Sequence, residues 1–194
     1  MLGVILCGGE SSRMGADKGL IQFQDKTWTE LAVEKIGELG IPVVVSISGR
    51  QKEKYERLLS ENKLIVDDSA ILLKGPVAAV LSVHLKYPAD DLFVLACDLP
   101  LIEFSVLDEL YRFYAIKNPF QAFVYTNNGE PEPLCGIYTA RGLALIYNMH
   151  YTHKLEKQSM KYILSQLSVH SMPIPENKKQ CFRNFNSPED VFLF

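Results

Sequence analysis

The sequence predicts an α/β fold, a three-layer sandwich in which helices cover both faces of a mainly parallel sheet. Continuous apolar runs, typical of strands buried on both faces, alternate with helical patterns along almost the whole chain. Polar loops follow several of these runs, and the carboxyl ends of parallel strands meet at one edge of a sheet, where ligands bind. The 194 residues suit one full-sized core, so we expect a single domain over residues 1–194.

Apolar runs predict the strands. The first run, residues 2–7, stops at Gly8, where the missing Cβ allows a ligand to approach the backbone. Further strands are predicted over residues 43–47, 64–66, 92–97, 121–126 and 134–138. The last two flank Asn127-Asn128-Gly129-Glu130, a sequence typical of a turn.

Helical patterns fill the intervals between the strands. Apolar spacing predicts a helix over residues 29–39 that ends at Gly40, a favourable residue just past a helix. Pro76 suits the first turn of a helix that reaches about residue 87, and Ser105 can cap a helix that reaches about residue 116. Other helices are predicted over residues 51–60, 141–150 and 158–167, and from Ser187 onward.

The composition argues against some classes of partner. Apolar residues make up 47% and charged residues 22% of the chain, and the net charge of −3 gives no reason to expect nucleic acid or an anionic membrane as a partner. No apolar stretch approaches the roughly 20 residues of a membrane span, and the chain starts with its first strand instead of a basic leader. We therefore expect a cytoplasmic protein.

Cysteine and histidine spacing predicts no metal site. The cysteines (Cys7, Cys97, Cys135 and Cys181) include no C-x-x-C pair, so we expect reduced, mostly buried thiols and no zinc. His150 and His153 are three residues apart and could seat a metal on a helix face, but a solvated pair near a helix end is the commoner outcome.

The loop after the first strand carries a pattern typical of phosphate binding. Gly8-Gly9 is followed by Arg13, Gly15 and Lys18, and exposed backbone amides with two cations suit a polyphosphate. The patterns G-x-x-x-x-G-K-[ST] and G-x-G-x-x-G are both absent, so this is neither an ordinary P-loop nor a dinucleotide fingerprint.

The whole string resembles L-A-G-G-x-S-x-R-M-G-x-D-K, the opening motif of the molybdenum cofactor guanylyltransferases. The matching positions are Leu6, Gly8, Gly9, Ser11, Arg13, Met14, Gly15, Asp17 and Lys18, with Cys7 in place of the usual alanine. The resemblance implies a Rossmann-like sheet of the nucleotide-diphospho-sugar transferase type. It also implies nucleotide binding through Leu6, Cys7, Gly8, Gly9, Gly15 and Lys18.

Asp98 is the candidate metal ligand. It follows directly on the strand at residues 92–97, and a carboxylate there suits Mg²⁺, which one or two carboxylates and substrate phosphates usually hold. From position alone, a turn or N-cap aspartate before Pro100 is an equal alternative. The segment Ala96-Cys-Asp-Leu-Pro100 resembles the family's P-C-D-x-P, with Ala96 in place of proline, which implies that Asp98 holds the metal and the nucleotide.

Further segments match the family in order along the chain. On the nucleotide side, the resemblance assigns contacts to Asp68, whose neighbour Asp67 leaves the alignment ambiguous by one residue, and to Ser46 in place of an asparagine. Residues 75–80 resemble G-P-L-A-G-[IM], with Ala79 where the family usually has glycine.

On the acceptor side, residues 132–138 resemble the strand [HQE]-P-L-x-[AG]-[LI]-[YF], although a core strand after a turn explains them equally well. Residues 184–190 resemble N-x-N-T-P-E-[DE], so Asn184 and Asn186 are candidate acceptor contacts. A helix cap accounts for Ser187 and Pro188 without any ligand.

The implied reaction is transfer of GMP from GTP to the phosphate of molybdopterin, with or without bound molybdenum. The acceptor phosphate attacks the α-phosphorus and pyrophosphate leaves, with Mg²⁺ as cofactor and Arg13, Lys18 and Asp98 as the expected catalytic residues. Other proteins of cofactor biosynthesis are the partners that the resemblance suggests. The alternatives are cytidylyl transfer to the same pterin, transfer to a sugar or alcohol phosphate, and a non-catalytic nucleotide-binding module.

Overall fold

A computed structural model describes residues 1–8, 17–23, 25–116 and 119–185. The helix predicted from Ser187 onward lies outside these residues.

The observed elements follow the predicted alternation. The strands are β1 (Leu2–Leu6), β2 (Gln22–Phe23), β3 (Lys26–Thr27), β4 (Val43–Ile47), β5 (Leu64–Val66), β6 (Leu92–Ala96), β7 (Ala122–Asn127), β8 (Glu130–Tyr138) and β9 (Val169–Pro173). The α-helices are α1 (Trp28–Gly37), α2 (Lys52–Glu56), α3 (Pro76–Lys86), α4 (Phe104–Ala115), α5 (Ala140–Tyr151) and α6 (Met160–Ser165). Short 3₁₀ turns lie at Lys18–Leu20, Gly49–Gln51, Glu61–Lys63 and Glu176–Phe182.

The main sheet confirms the predicted fold class. Within the described residues it has seven strands in the order β5-β4-β1-β6-β8-β7-β9. Neighbouring strands pair in parallel except at β8, which runs antiparallel to both β6 and β7. The register places Leu6 of β1 between Ser46 of β4 and Ala96 of β6. The residues that follow these three strands therefore emerge together at one edge of the sheet.

Apolar side chains on each face of the sheet form the two cores of the described region. Successive residues of β1 alternate between the faces: Ile5 packs with α1, α2 and α4, whereas Val4 packs with α3, α5 and α6. Both side chains are fully buried. The three layers are thus helices, sheet and helices, as the apolar runs predict.

Local sequence signals account for several element boundaries. Thr27 caps α1 in a capping box with Glu30, and Pro76 takes the first turn of α3. Asn128 and Gly129, with φ of 51° and 84°, form the tight turn between β7 and β8. Positive φ at both central residues is the requirement of a type I′ hairpin, which asparagine and glycine meet at low cost.

Two of the predicted helices differ in detail from the observed ones. Ser105 is not an N-cap, because α4 begins at Phe104 after an extended Glu103. Ser105 lies inside the first turn, and its hydroxyl donates a hydrogen bond to the Glu103 carboxylate. The charged helix predicted over residues 51–60 is a 3₁₀ turn followed by the short helix α2. Its Tyr55 is fully buried, so α2 does not lie wholly on the surface.

Two features have no counterpart in the predicted strands. β9 carries His170 and Ser171 and ends at Pro173, so it shows no continuous apolar run. Among the described residues it pairs with β7 alone, as an edge strand, where polar residues and proline are tolerated. The two-residue strands β2 and β3 are too short to leave a periodic signal.

Candidate active site

Lys18 and Asp98 meet at the carboxyl edge of the sheet. The Lys18 Nζ lies 3.2 Å from Asp98 Oδ2, although the two residues are 80 positions apart in the chain. The side chains are 22% and 23% exposed, so both are accessible to a small ligand. The structure therefore brings together the cation and the carboxylate that the sequence predicts to be catalytic.

The turn that carries Asp98 is held from two sides. Its carbonyl oxygen accepts a hydrogen bond from the Phe185 backbone N–H at 3.1 Å, and the Phe185 ring packs edge-on against Trp28 at 5.7 Å. Lys35 of α1 donates to the Pro100 carbonyl oxygen at 2.8 Å. Burial lowers the pKa of Lys35 from its ordinary value. These contacts fix the turn and leave the Asp98 carboxylate at the edge.

Asp17 anchors the residue that precedes Lys18. Its Oδ1 accepts from the Gly19 N–H at 3.2 Å and from the Tyr55 hydroxyl at 2.9 Å, and its Oδ2 accepts from Gln51 Nε2 at 2.6 Å. Asp17 is the N-cap of the 3₁₀ turn Lys18–Leu20. The backbone of Lys18 is therefore held by a carboxylate with hydrogen-bond donors from three segments.

Gly19 is required by the packing of this turn. A Cβ at Gly19 would lie 2.2 Å from the Tyr55 hydroxyl oxygen and 2.6 Å from Thr29 Oγ1, both far too close. The Thr29 hydroxyl also donates to the Gly19 carbonyl oxygen at 2.7 Å and lies 3.3 Å from the Cys7 sulfur. The turn is thus packed tightly against the end of β1.

The end of β1 supplies the other wall of the site. Leu6 and Cys7 are buried, and Gly8 is half-buried beside β4. The Leu6 carbonyl oxygen accepts from the Cys97 N–H at 3.2 Å, and the Cys7 carbonyl oxygen accepts from Gln51 Nε2 at 2.9 Å. A Cβ at Gly8 would lie 3.3 Å from Asp67 Oδ2, so the absence of a side chain keeps this approach open.

Asp67 and Asp68 face in different directions. Asp67 lies against Gly8, and its Oδ1 accepts from the Ser46 hydroxyl at 2.9 Å. Burial raises the pKa of the Asp67 carboxyl, and the Ser46 hydrogen bond partly opposes that rise. Asp68 is exposed, and its Oδ1 accepts from the Ala70 N–H at 2.8 Å in a local turn. Of the two neighbours, Asp67 is the one that the structure places beside the first loop.

Ser46 and Ala79, two of the departures from the family pattern, lie inside the packed layers. Ser46 is fully buried, and its hydroxyl donates to Asp67 Oδ1. Ala79 is buried in α3, among the apolar side chains that cover the sheet.

On the acceptor side, the structure brings one candidate segment to the site. Asn184 is adjacent to Phe185, whose backbone binds the Asp98 turn. Glu132 lies on β8 next to the bulge at Val124 and Tyr125 of β7, and burial raises its pKa. The predicted site residues Gly9, Arg13, Gly15 and Asn186 lie outside the described residues.

The described residues contain no cluster of three or more His, Cys, Asp or Glu side chains that could hold a metal ion by itself. His150 lies near the end of α5, and His153 follows it with φ of 57°. The four cysteines are free and buried, as predicted. No helix in the described ranges combines the length and apolarity needed to cross a membrane.

Sequence reasoning missed Gln51 and Tyr55 beside the candidate site, and it left open which of Asp67 and Asp68 faces the first loop. Gln51 and Tyr55 are four residues apart, which places both on one side of the 3₁₀ turn and α2 that follow β4. A buried tyrosine in an otherwise charged helix was the available signal for a packed interior face. Adjacent aspartates at a strand end give no signal of which one faces the ligand, because successive side chains point to opposite faces.

A mainly parallel sheet whose first strand leads into Cys7 and Gly8, with a lysine and an aspartate paired at its carboxyl edge, defines an α/β nucleotide-binding fold. Residues 3–170 match the family model described as a MobA-like NTP transferase domain. The chain belongs to this family and is a nucleotidyltransferase. The resemblance predicted from its opening motif is thereby confirmed.

Similar proteins span nearly the whole chain. It is 28% identical over 192 residues to a probable molybdenum cofactor guanylyltransferase from a Geobacillus species, covering 98% of this chain and 95% of the relative. It is 30% identical over 188 residues to the molybdenum cofactor guanylyltransferase of Pseudomonas entomophila, covering 96% and 93%. The crystal structure of molybdopterin-guanine dinucleotide biosynthesis protein A from Archaeoglobus fulgidus shares the fold, with a TM-score of 0.75, 21% identity and coverage of 100% and 96%.

Proposed function

We propose that this protein transfers GMP from GTP to the terminal phosphate of molybdopterin and releases pyrophosphate. The product is the guanine dinucleotide form of the cofactor. The observation that carries the proposal is the Lys18–Asp98 pair at the carboxyl edge of the sheet. Its support is the set of relatives named molybdenum cofactor guanylyltransferases, which match this chain over nearly its whole length.

The chemistry needs no nucleophile from the protein. An oxygen of the acceptor phosphate forms a bond to the α-phosphorus of GTP, and the bond from that phosphorus to the β-phosphate oxygen breaks. Pyrophosphate takes the electron pair of the broken bond. Such a transfer depends mainly on holding the two phosphates in line and on neutralising the charge that develops. Lys18 supplies a cation for this purpose, and we assign the same role to Arg13 from the sequence.

Asp98 fits a magnesium ion that arrives with the nucleotide. A partly exposed carboxylate is a hard oxygen ligand, and Mg²⁺ is usually bound by one or two carboxylates together with substrate phosphates. When bound, Mg²⁺ would polarise the α-phosphate as a Lewis acid. Lys18, whose Nζ lies 3.2 Å from Asp98 Oδ2, would neutralise phosphate charge beside it.

The end of β1 and the end of β5 form the nucleotide side of the proposed site. Gly8 lets the nucleotide approach the backbone, since no Cβ intervenes. Asp67, held by Ser46, lies beside this opening and is the better-placed carboxylate for a hydrogen bond to a nucleotide hydroxyl or base. Asp68 is exposed, and its Oδ1 accepts from the Ala70 N–H within its own turn.

A nucleotide panel tests the proposal. Thermal unfolding is measured with Mg²⁺ and each of GTP, ATP, CTP and UTP, because a ligand that binds the native state raises the apparent midpoint. Pyrophosphate release is then measured with molybdopterin and each nucleotide. We expect the largest protection and the fastest release with GTP. A clear preference for CTP would move the protein to cytidylyl transfer, and the absence of release with every nucleotide would overturn catalysis.

A further inference from the structure

The side-chain amide of Gln51 uses all of its hydrogen-bonding groups at the edge of the site. Nε2 donates to the Cys7 carbonyl oxygen at 2.9 Å and to Asp17 Oδ2 at 2.6 Å. Oε1 accepts from the Ser48 backbone N–H at 2.9 Å and from the Ser48 hydroxyl at 2.7 Å. A primary amide has two N–H donors and an oxygen with two lone pairs, so its orientation is determined by these four bonds.

These bonds join the two ends of the first loop. Cys7 directly follows β1, and Asp17 directly precedes the 3₁₀ turn of Lys18, so the chain between them carries the glycines and Arg13 of the phosphate motif. One amide therefore contacts both the entry and the exit of this loop. Ser48 ties the same amide to the segment after β4, which belongs to the rigid sheet.

Tyr55 makes the second attachment to the exit of the loop. Its hydroxyl donates to Asp17 Oδ1 at 2.9 Å, and its ring is fully buried in the core on this face of the sheet. A buried aromatic ring has few accessible orientations, so the hydroxyl is delivered from a fixed position. Gln51 and Tyr55 hold separate oxygens of the Asp17 carboxylate, which prevents it from rotating.

We propose that Gln51 and Tyr55 are positioning residues for nucleotidyl transfer, holding the ends of the phosphate loop together and keeping Lys18 directed at the reacting phosphates. The inference rests on the proposed function. Asp17 is adjacent to Lys18 in the chain, so movement of its carboxylate shifts the backbone from which the lysine extends. A misplacement of about 1 Å at a reacting centre can cost on the order of 10²-fold in rate.

Two substitutions isolate the hydrogen bonds with little change in shape. Gln51→Glu is nearly isosteric, but it loses both N–H donors and sets a carboxylate against Asp17. Tyr55→Phe removes only the hydroxyl and keeps the buried ring. We expect turnover with GTP, Mg²⁺ and molybdopterin to fall about 30-fold for Gln51→Glu and about tenfold for Tyr55→Phe, with a smaller change in KM for GTP.

Each variant has a matched control elsewhere in the chain. Tyr114→Phe also removes a tyrosine-to-aspartate hydrogen bond, 2.5 Å from its hydroxyl to Asp91 Oδ2, but at the start of β6 and so at the opposite edge of the sheet. Gln166→Glu makes the same chemical change at the end of α6, where the amide donates to Ser165. We expect both controls to keep turnover within twofold of the unsubstituted protein.

A double-mutant cycle with Lys18 separates positioning from a general loss of stability. Lys18→Ala alone is expected to lower turnover by about 10²-fold. If Gln51 and Tyr55 act through Lys18, adding Tyr55→Phe to Lys18→Ala should lower turnover by no more than about twofold further, because interacting residues are not additive. An equal loss from Tyr55→Phe in both backgrounds would overturn the positioning role, as would turnover within twofold for both single variants.

A binding measurement keeps the test independent of turnover. GTP with Mg²⁺ should raise the unfolding midpoint of the unsubstituted protein, and the rise should fall to less than half in Gln51→Glu and stay unchanged in Gln166→Glu. If the unsubstituted protein releases no pyrophosphate, the proposed guanylyl transfer is overturned. The comparison of GTP protection between Gln51→Glu and Gln166→Glu still tests whether Gln51 holds the ends of the loop. Unchanged protection in Gln51→Glu would overturn that inference alone.

Discussion

At the residue scale, the proposed site is centred on the ion pair between Lys18 and Asp98. An ion pair with both side chains about one-fifth exposed contributes little to stability, typically below about 1 kcal/mol. The pair is therefore poorly explained as a structural device. Its position at the carboxyl edge, where parallel strands deliver ligand-binding residues, explains it better.

Asp98→Asn separates the metal role from a turn role. Asparagine keeps the shape of the side chain but loses the charge, and the Asp98 contact to Phe185 uses the backbone carbonyl, which is unchanged. We expect a nearly unchanged unfolding midpoint in buffer, with loss of most Mg²⁺-dependent protection by GTP and most pyrophosphate release. Thermal unfolding and release are measured on one preparation. Lower stability with normal turnover would instead identify Asp98 as a turn residue.

Asp67 makes stability depend on pH. Because burial raises the pKa of its carboxyl above the value in the unfolded chain, folding favours the protonated form. The stability from this protonation is full below the unfolded pKa of about 4 and is lost as the pH rises through the folded pKa. Above the folded pKa the carboxylate is charged in both states, and burying that charge lowers the stability of the folded protein.

Asp67→Asn should remove this dependence, since asparagine does not titrate and its oxygen can still accept from Ser46. We expect the midpoint of the variant to exceed that of the unsubstituted protein by on the order of 2 °C at pH 7, and the difference to vanish near pH 4. Thermal unfolding across this pH range checks it. A difference that stays constant with pH would show that Asp67 does not titrate differently in the folded state.

At the element scale, the 3₁₀ turn of Lys18 is a small element with a strict packing requirement. Gly19→Ala should destabilise the protein by about 1–3 kcal/mol, because the added methyl group meets the Tyr55 hydroxyl and Thr29. Turnover should fall as well, since the turn carries Lys18. Urea unfolding and pyrophosphate release measure the two effects.

Gly37→Ala is the matched control for Gly19→Ala. Gly37 is the last residue of α1, and a Cβ there would meet nothing within 4 Å. Alanine favours a helix over glycine by up to about 1 kcal/mol, so Gly37→Ala should be neutral or stabilising. Equal destabilisation by both substitutions would contradict the packing argument at Gly19.

Elements that bury continuous apolar runs could be predicted, and the contacts between loops could not. One apolar run that ends in a carboxylate predicts both strand β6 and the position of Asp98. The pair Asn128-Gly129 predicts the turn in which it lies. Gln51 joins Asp17 across 34 positions, and glutamine is common on exposed helices, so its identity carries no signal of that contact. The predicted cap at Ser105 was wrong for a related reason: a serine is suited both to the N-cap and to the first turn of a helix, so its identity does not fix the boundary.

At the scale of the whole molecule, the edge of the sheet opposite the site has a structural role. Asp91 precedes β6, and its carboxylate accepts from the Ala140 N–H at 2.6 Å and from the Tyr114 hydroxyl at 2.5 Å. It thereby joins α5 on one face of the sheet to α4 on the other. Burial, together with the hydrogen bond to Asp91, raises the pKa of Tyr114, so the tyrosine stays a neutral donor.

Asp91→Ala should lower the free energy of unfolding by about 2–3 kcal/mol, since it leaves two partly buried donors without their acceptor. GTP affinity should stay within twofold, because the site lies at the other edge. Urea unfolding measures the free energy of unfolding, and nucleotide titration measures the affinity for GTP. A large loss of affinity at unchanged stability would show that the two edges are coupled.

The reversed direction of strand β8 places a hairpin turn at the edge of the sheet that carries the candidate site. Because β8 runs antiparallel to β6 and β7, it starts at the edge where those strands end, and the Asn128-Gly129 turn lies at the same edge as Asp98. A surface turn between two strands tolerates insertions, because the strands that it joins are held by their own pairing. Evolution or design could therefore remodel the rim beside the site by altering this hairpin, while the loops after β1, β4 and β5 remain intact.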